Sequence, residues 1–190
     1  MKGLIYKIEL IYRNGLKRLK GYFFKIYLQL HGCEVGKGLK CYTFPNLKIV
    51  PHKNIRIGDR VTFGIGCTLD ISIQGSLSIE DDVQLTQNVL ISSASKVSIG
   101  KFSAIGENSS IRDSDHGMKA GKNTMQQRME SKAVFIGEDV WVGASCIILK
   151  GSYLSSHSVI GANSLVNENS VIKENGIYVG SPVRCIKERI

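Results

Sequence analysis

The chain has 190 residues, 43% of them hydrophobic and 22% charged, with a net charge of +9. That composition fits one domain with an ordinary core, and no apolar run reaches the roughly 20 residues needed to span a bilayer. Five cysteines, without paired spacing, point to reduced thiols in a cytoplasmic protein, and the basic N-terminus lacks the apolar stretch and small-residue cleavage site of a secretory signal. Net charge alone does not make a nucleic-acid binder, so no nucleic-acid partner is expected.

Residues 1–32 read as a basic amphipathic helical segment. Leu4, Ile8, Ile11, Leu16, Leu19, Phe23, Ile26 and Leu30 recur at helical steps, and Asn14-Gly15 is expected to kink or divide the helix. The segment carries seven basic residues against Glu9, which is +6 of the whole charge. One reading is an interfacial helix in peripheral contact with the inner face of an anionic membrane. The plainer alternative, a helix packed on the first coils or on another subunit, ranks slightly ahead because amphipathic helices mostly cover cores.

Residues 33–190 form the second unit, opening with a transition over 33–56 that contains Pro45 and Pro51. From Ile136 an aliphatic returns at every sixth position, through Val142, Ile148, Leu154, Ile160 and Val166 to Ile172. Neither the helix period of 3.6 nor a long alternation of period 2 produces this, so the chain must turn a corner at regular intervals. Upstream, Ile57, Phe63 and Leu69, then Ile73, Ile79, Leu85 and Ile91, then Ile99, Ile105 and Ile111 keep the phase in blocks. Small or β-branched residues four places on, among them Cys67, Val140, Cys146 and Ser158, are expected to point inward too. Three hexads close one coil, giving a triangular prism of short parallel strands that climbs by roughly 4.8 Å per coil. The rhythm breaks over 117–132, a loop insertion, and again in the tail, 176–190.

The hexads, the segment Asp113-Ser114-Asp115-His116, the run Val140-Trp141-Val142-Gly143-Ala144 and the tail Gly180-Ser181-Pro182-Val183-Arg184 together resemble the left-handed β-helix (hexapeptide-repeat) acyltransferases. Within that family the chain is most similar to the bacterial O-acetyltransferases of sugars and surface polysaccharides. The resemblance covers about residues 48–190. It implies an all-β solenoid, a left-handed parallel β-helix, working as a homotrimer with acetyl-CoA as acyl donor and a sugar or glycan as acceptor, in capsule, O-antigen or exopolysaccharide synthesis. No metal is expected.

The resemblance makes His116 the general base. An alcohol proton is too weakly acidic to leave unaided at neutral pH, and an imidazole titrates close enough to neutrality to take it. Hexad phase counted from Ile111 turns Asp115 inward and leaves Asp113 outward beside His116. Asp113 is therefore the preferred acid to orient the imidazole, while Asp115 is either catalytic or a buried carboxylate accepting backbone hydrogen bonds where the loop departs.

Trp141, the single tryptophan, falls on an outward position, and a large exposed ring normally finds a partner or ligand. By resemblance it lines a cleft across a subunit boundary from the histidine, in contact with cofactor or acceptor, the plainer alternative being trimer packing. Gly143, Ala144, Gly161 and Ala162 are placed by resemblance on the coenzyme A groove. Arg184 and Lys187, with Lys150 a weaker candidate, would meet its phosphates. The family often has a basic residue where Glu168 stands here, which shifts weight to Arg184. At the acceptor end Asn88 either binds a hydroxyl or turns a tight corner, and Ala94 and Ser95 stand where an acid is expected. The alternative activity is an N-acetyltransferase of an amino-sugar nucleotide or an antibiotic acetyltransferase on the same fold. Hydration chemistry at zinc is a further class, but none of His31, His52 and His157 pairs with His116 at ligand spacing.

Overall fold

The computed structural model describes residues 2–190; Met1 and the side chains of Lys2, Leu4 and Ile8, which the sequence reading counted in the basic and apolar faces of the helix, lie outside the described residues. A helix, α1 (Lys2–Leu30), precedes a three-sided parallel solenoid. Face A carries six strands and face C six; face B carries eight because the C-terminal tail adds a hairpin to it. An isolated bridge between Leu154 and Ile172 adds a seventh rung to face A.

Parallel register stacks like on like. On face A Ile57 lies on Ile79 and Ile99 on Ile136; on face B Phe63 lies on Leu85 and Ile105 on Val142; on face C Leu69 lies on Ile91 and Ile111 on Ile148. All of these side chains are buried in one continuous core. Each burial contributes on the order of 1.5–3 kcal/mol, and since no single coil encloses its own inward face, that stabilisation exists only between neighbours. Several of the small inward positions at the corners are serines, and hydroxyls among them bond between coils. Ser109 Oγ donates to Gly143 O at 3.0 Å and accepts the Cys146 N–H at 3.0 Å, so a buried hydroxyl ties two coils where the ladder bends.

Three expectations are corrected. Coils begin at Glu34–Val35, not after a transition, with Val35 and Cys41 already inward. Ile73 is 76% exposed: the strands Thr68–Ile71 and Ser76–Ile79 are four residues long and bury Leu69, Ile71, Leu77 and Ile79 by simple alternation, so the turn between them lifts Ile73 out of phase. The helix runs unbroken through Asn14-Gly15.

The helix does pack on the first coils, though not through the predicted stripe. Gly21, Phe24 and Leu28 face the prism, with Leu28 fully buried and Phe24 against Phe63 and Phe44. A Cβ on Gly21 would stand 1.9 Å from Leu39 O, so only glycine lets the two backbones approach. Lys25 and Lys20 secure the contact by donating to Gly36 O and Tyr42 O, each at 2.9 Å. At 3.6 residues per turn, Leu19, Phe23, Ile26 and Leu30 then lie on the opposite side of the helix and Ile11 on its flank, and all five are exposed.

Candidate active site

The chain leaves the prism at the end of face C. After Arg112 it continues as strand Ser114–His116, which pairs antiparallel with Met129–Ser131 to form a ribbon. The predicted insertion is thus an ordered hairpin: Lys132 N donates to Asp113 O at 2.8 Å and Gly117 N to Arg128 O at 3.2 Å. Gln127 holds its inside, accepting the Lys119 N–H at 2.8 Å and donating to the carbonyls of Lys119 and Lys122.

His116 is exposed at the root of this ribbon, opposite Met129. No hydrogen bond reaches its ring from the described residues of the same chain, which leaves both ring nitrogens for a substrate or a neighbour.

Asp113 does not take the outward place expected of it. Asp113 is completely buried. Its Oδ1 accepts the Ala94 N–H at 2.7 Å, and its Oδ2 accepts the Ser95 N–H and the Ser93 hydroxyl, both at 2.8 Å. A carboxylate does reach the Ala94-Ser95 corner, that of Asp113 from the next coil, but it is buried and spent on these hydrogen bonds. The hexad count fails here because the chain stays extended past Ile111, and period 2 turns Asp113 inward with it. Asp113 cannot be the outward acid beside His116. Asp115 is half-buried instead, 3.6 Å from Lys150 Nζ, which also lies 3.4 Å from Glu130 Oε2.

Lys150 is accordingly held in an ion-pair cluster at the base of the hairpin rather than free to meet a phosphate, its side chain only 16% exposed. Lys132 pairs with Glu168 at 2.7 Å and holds that carboxyl below its ordinary range by hydrogen bond and charge. Among the described residues Arg184 and Lys187 have no ion pair; both are exposed on the strand Val183–Glu188, which returns antiparallel along face B.

Trp141 stands outward on face B, 59% exposed, between Ala104 and Val159 of the adjacent rungs. It and His116 leave the prism from different faces, so a single chain does not gather them on one face. Gly143 is buried where successive coils touch; a Cβ there would meet the Ala162 nitrogen at 2.6 Å. Ala144 and Gly161 are partly exposed and Ala162 exposed at the same corner. Asn88 turns a corner with φ +54° and donates to Asn108 Oδ1 at 3.1 Å, so the tight-corner alternative describes its place.

No family model matches the chain. A putative lipopolysaccharide biosynthesis O-acetyl transferase of Escherichia coli K12, WbbJ, is 33% identical over 111 residues, 54% of this chain, and the chain spans 57% of the length of that relative. Among solved structures, the N-acyltransferase AntD of Bacillus cereus, in complex with dTDP and 3-hydroxybutyryl-CoA, superposes with a TM-score of 0.70 at 20% identity over 87% of this chain and 88% of the other. A hexapeptide-repeat-containing acetyltransferase of Vibrio cholerae, VCA0836, complexed with acetyl coenzyme A, reaches a TM-score of 0.64 at 20% identity, covering 96% and 88%. The fold is that of the hexapeptide-repeat acyltransferases.

On that hexapeptide-repeat frame, two features were not foreseen from sequence. The Ser93-Ala94-Ser95 corner that receives Asp113 has a sequence trace, since the hexad rhythm breaks between Ile91 and Ile99. The Gln127 clasp has none.

Proposed function

We propose that the chain transfers an acetyl group from acetyl-CoA to a sugar hydroxyl in the assembly of a surface polysaccharide. His116 would take the hydroxyl proton as the acceptor oxygen attacks the thioester carbon, and return it to the departing thiol, with no acyl-enzyme between. The observation that carries this reading is an unpartnered, exposed imidazole at the root of an ordered hairpin on a hexapeptide-repeat solenoid, joined to 33% identity over 111 residues with the putative O-acetyl transferase WbbJ.

The working unit in this reading is a homotrimer. His116 and Trp141 leave the prism from different faces, so packing several prisms side by side is the way to enclose both in one cleft. Arg184 and Lys187 supply unpaired cations for the phosphates of coenzyme A. We also place the protein at the inner face of the membrane. Among the described residues no helix is long and apolar enough to cross one, but the outward apolar side of α1, flanked by lysines and arginines, has the composition of a helix lying in the interface.

A second reading, N-acyl transfer to an amino-sugar nucleotide, is favoured by the shared fold with AntD, which was solved with dTDP and an acyl-CoA. Thiol release from acetyl-CoA, followed on a panel of hydroxyl sugars and amino sugars, separates the two. O-transfer predicts turnover on the hydroxyl panel and a loss of at least about 10²-fold in His116→Ala. Turnover on amines alone would replace the first reading by the second, and near-normal activity of His116→Ala would remove the general base.

A further inference from the structure

Between α1 and the first coils lies a cleft of about 520 Å³ whose lining includes Arg18, Lys25, Lys37, Lys40 and Arg60. A second cleft of about 320 Å³ adjoins it, shares Arg18 and Lys40 and adds Lys17. Five cations on one cleft repel one another unless each is answered. Arg60 is answered by Asp82, through two hydrogen bonds of 2.7 and 2.6 Å, with Asp59 and Asp81 at 3.7 and 3.8 Å. Lys25 donates to Gly36 O, and Lys17 lies over the Tyr42 ring at 3.9 Å. Arg18, Lys37 and Lys40 have no ion pair among the described residues. Lys40 lies within electrostatic reach of Asp82, but that carboxylate is already taken by Arg60.

We infer that this cleft binds the phosphate of an anionic lipid headgroup, with Arg18, Lys37 and Lys40 as its ligands. A guanidinium fork and two ammonium groups around an open cleft suit a tetrahedral oxyanion, the arginine through paired N–H donors and the lysines as point charges. The lipid source follows from where the cleft sits. On the helix, Arg18 lies between the side that packs on the prism, Gly21, Phe24 and Leu28, and the exposed apolar side, Leu19, Phe23 and Ile26. If the apolar side enters the acyl region, Arg18 and the cleft behind it stand at headgroup level, where anionic lipids concentrate charge. The inference rests on the membrane reading of α1 given above and adds a defined site to it.

The full-length protein is floated with vesicles of phosphatidylcholine alone and with added phosphatidylglycerol, and inorganic pyrophosphate binding is measured by calorimetry as the soluble arm. The wild-type protein is expected to prefer the anionic vesicles by at least about tenfold and to be displaced by pyrophosphate. Arg18→Glu/Lys40→Glu should lose both effects with its melting temperature kept, whereas reversing exposed Lys173 at the far end of the prism, Lys173→Glu, should change neither. Retention of both the anionic-vesicle preference and pyrophosphate binding by the double variant overturns the site. Loss of pyrophosphate binding with vesicle binding intact overturns the lipid source and reassigns the cleft to a soluble phosphate. Phe23→Ser/Ile26→Ser tests the membrane reading separately: it should abolish binding to both vesicle types and leave pyrophosphate binding unchanged. If the wild type binds no vesicle, the membrane reading fails, and with it the lipid source, while the pyrophosphate arm alone decides whether the cleft binds phosphate.

Discussion

Asp113 Oδ1 accepts the backbone N–H of Ala94 at 2.7 Å, across from one coil to the next. With Ser95 N–H and the Ser93 hydroxyl on its other oxygen, the carboxylate ties the corner between faces C and A to the residue three positions before His116. Removing it leaves two half-buried backbone amides without this acceptor, and each unsatisfied buried donor costs about 1–3 kcal/mol.

Asp113→Ala is therefore expected to be destabilised by roughly 2–4 kcal/mol, read as a lower denaturation midpoint. Asp113→Asn should fall between, because an amide offers one acceptor oxygen where the carboxylate offers two. The pH dependence of kcat in folded Asp113→Asn should keep the wild-type shape, since the group acts by holding the strand rather than by touching the imidazole. A displaced acidic limb would return Asp113 to the role of orienting acid.

The reach of sequence reasoning is visible in this same segment. Ile111 was correctly inward, and the hexads from Ile136 to Ile172 were legible one by one because each is a repeated steric demand, an aliphatic over an aliphatic. Asp113 was misplaced because the repeat ends there and strand alternation carries it to the side of Ile111, while Asp115, on the hairpin strand, is half-buried beside Lys150. The surroundings of Lys150 were hidden for a different reason. Its partners Asp115 and Glu130 come from the hairpin, and an ion pair across the hairpin base has no sequence period. For α1 the apolar stripe was read, but which side would meet the prism depended on Gly21, whose missing Cβ admits Leu39 O.

The tail cations and Lys150 are separable kinetically. Arg184→Ala and Lys187→Ala should raise KM for acetyl-CoA severalfold and leave kcat within about twofold, as expected for binding shared by ground state and transition state. Lys150→Met should leave that KM unchanged and lower the denaturation midpoint, because Asp115 and Glu130 lose their common cation. A KM effect confined to Lys150→Met would restore it as the phosphate contact.

Acid stability has a local contributor at the corner between faces A and B. Hydrogen bonding from His157 first, then from Arg189, holds the Asp139 carboxyl below its ordinary value of 3.8. As acid is added the unfolded chain takes up this proton before the folded one, so the contribution is complete above the ordinary value and disappears as pH falls through the lower folded value. Because the pair is partly solvent-exposed, the contribution is under about 1 kcal/mol. The difference in melting temperature between the wild type and Asp139→Asn should be present at pH 6 and shrink toward zero in strong acid. A difference independent of pH would show that hydrogen bonding, not charge, is what the variant removes.

The five cysteines divide sharply by burial. Cys33, Cys41, Cys67 and Cys146 are buried and only Cys185 is exposed. Burial pushes the Cys41 thiol up to about 12 and raises Cys33, Cys67 and Cys146 as well, disfavouring the thiolate that reacts. Cys67 and Cys146 also donate to Thr86 O and Gly161 O inside the coils, at 3.0 and 3.1 Å. A disulfide-exchange reagent at pH 8 should therefore modify one thiol per native chain within minutes and the remaining four only after denaturant is added. Cys185→Ser should remove the fast phase altogether. A second fast thiol in that variant would mean that a coil opens on the timescale of the reaction, and its identity by peptide mapping would locate the weakest rung of the prism.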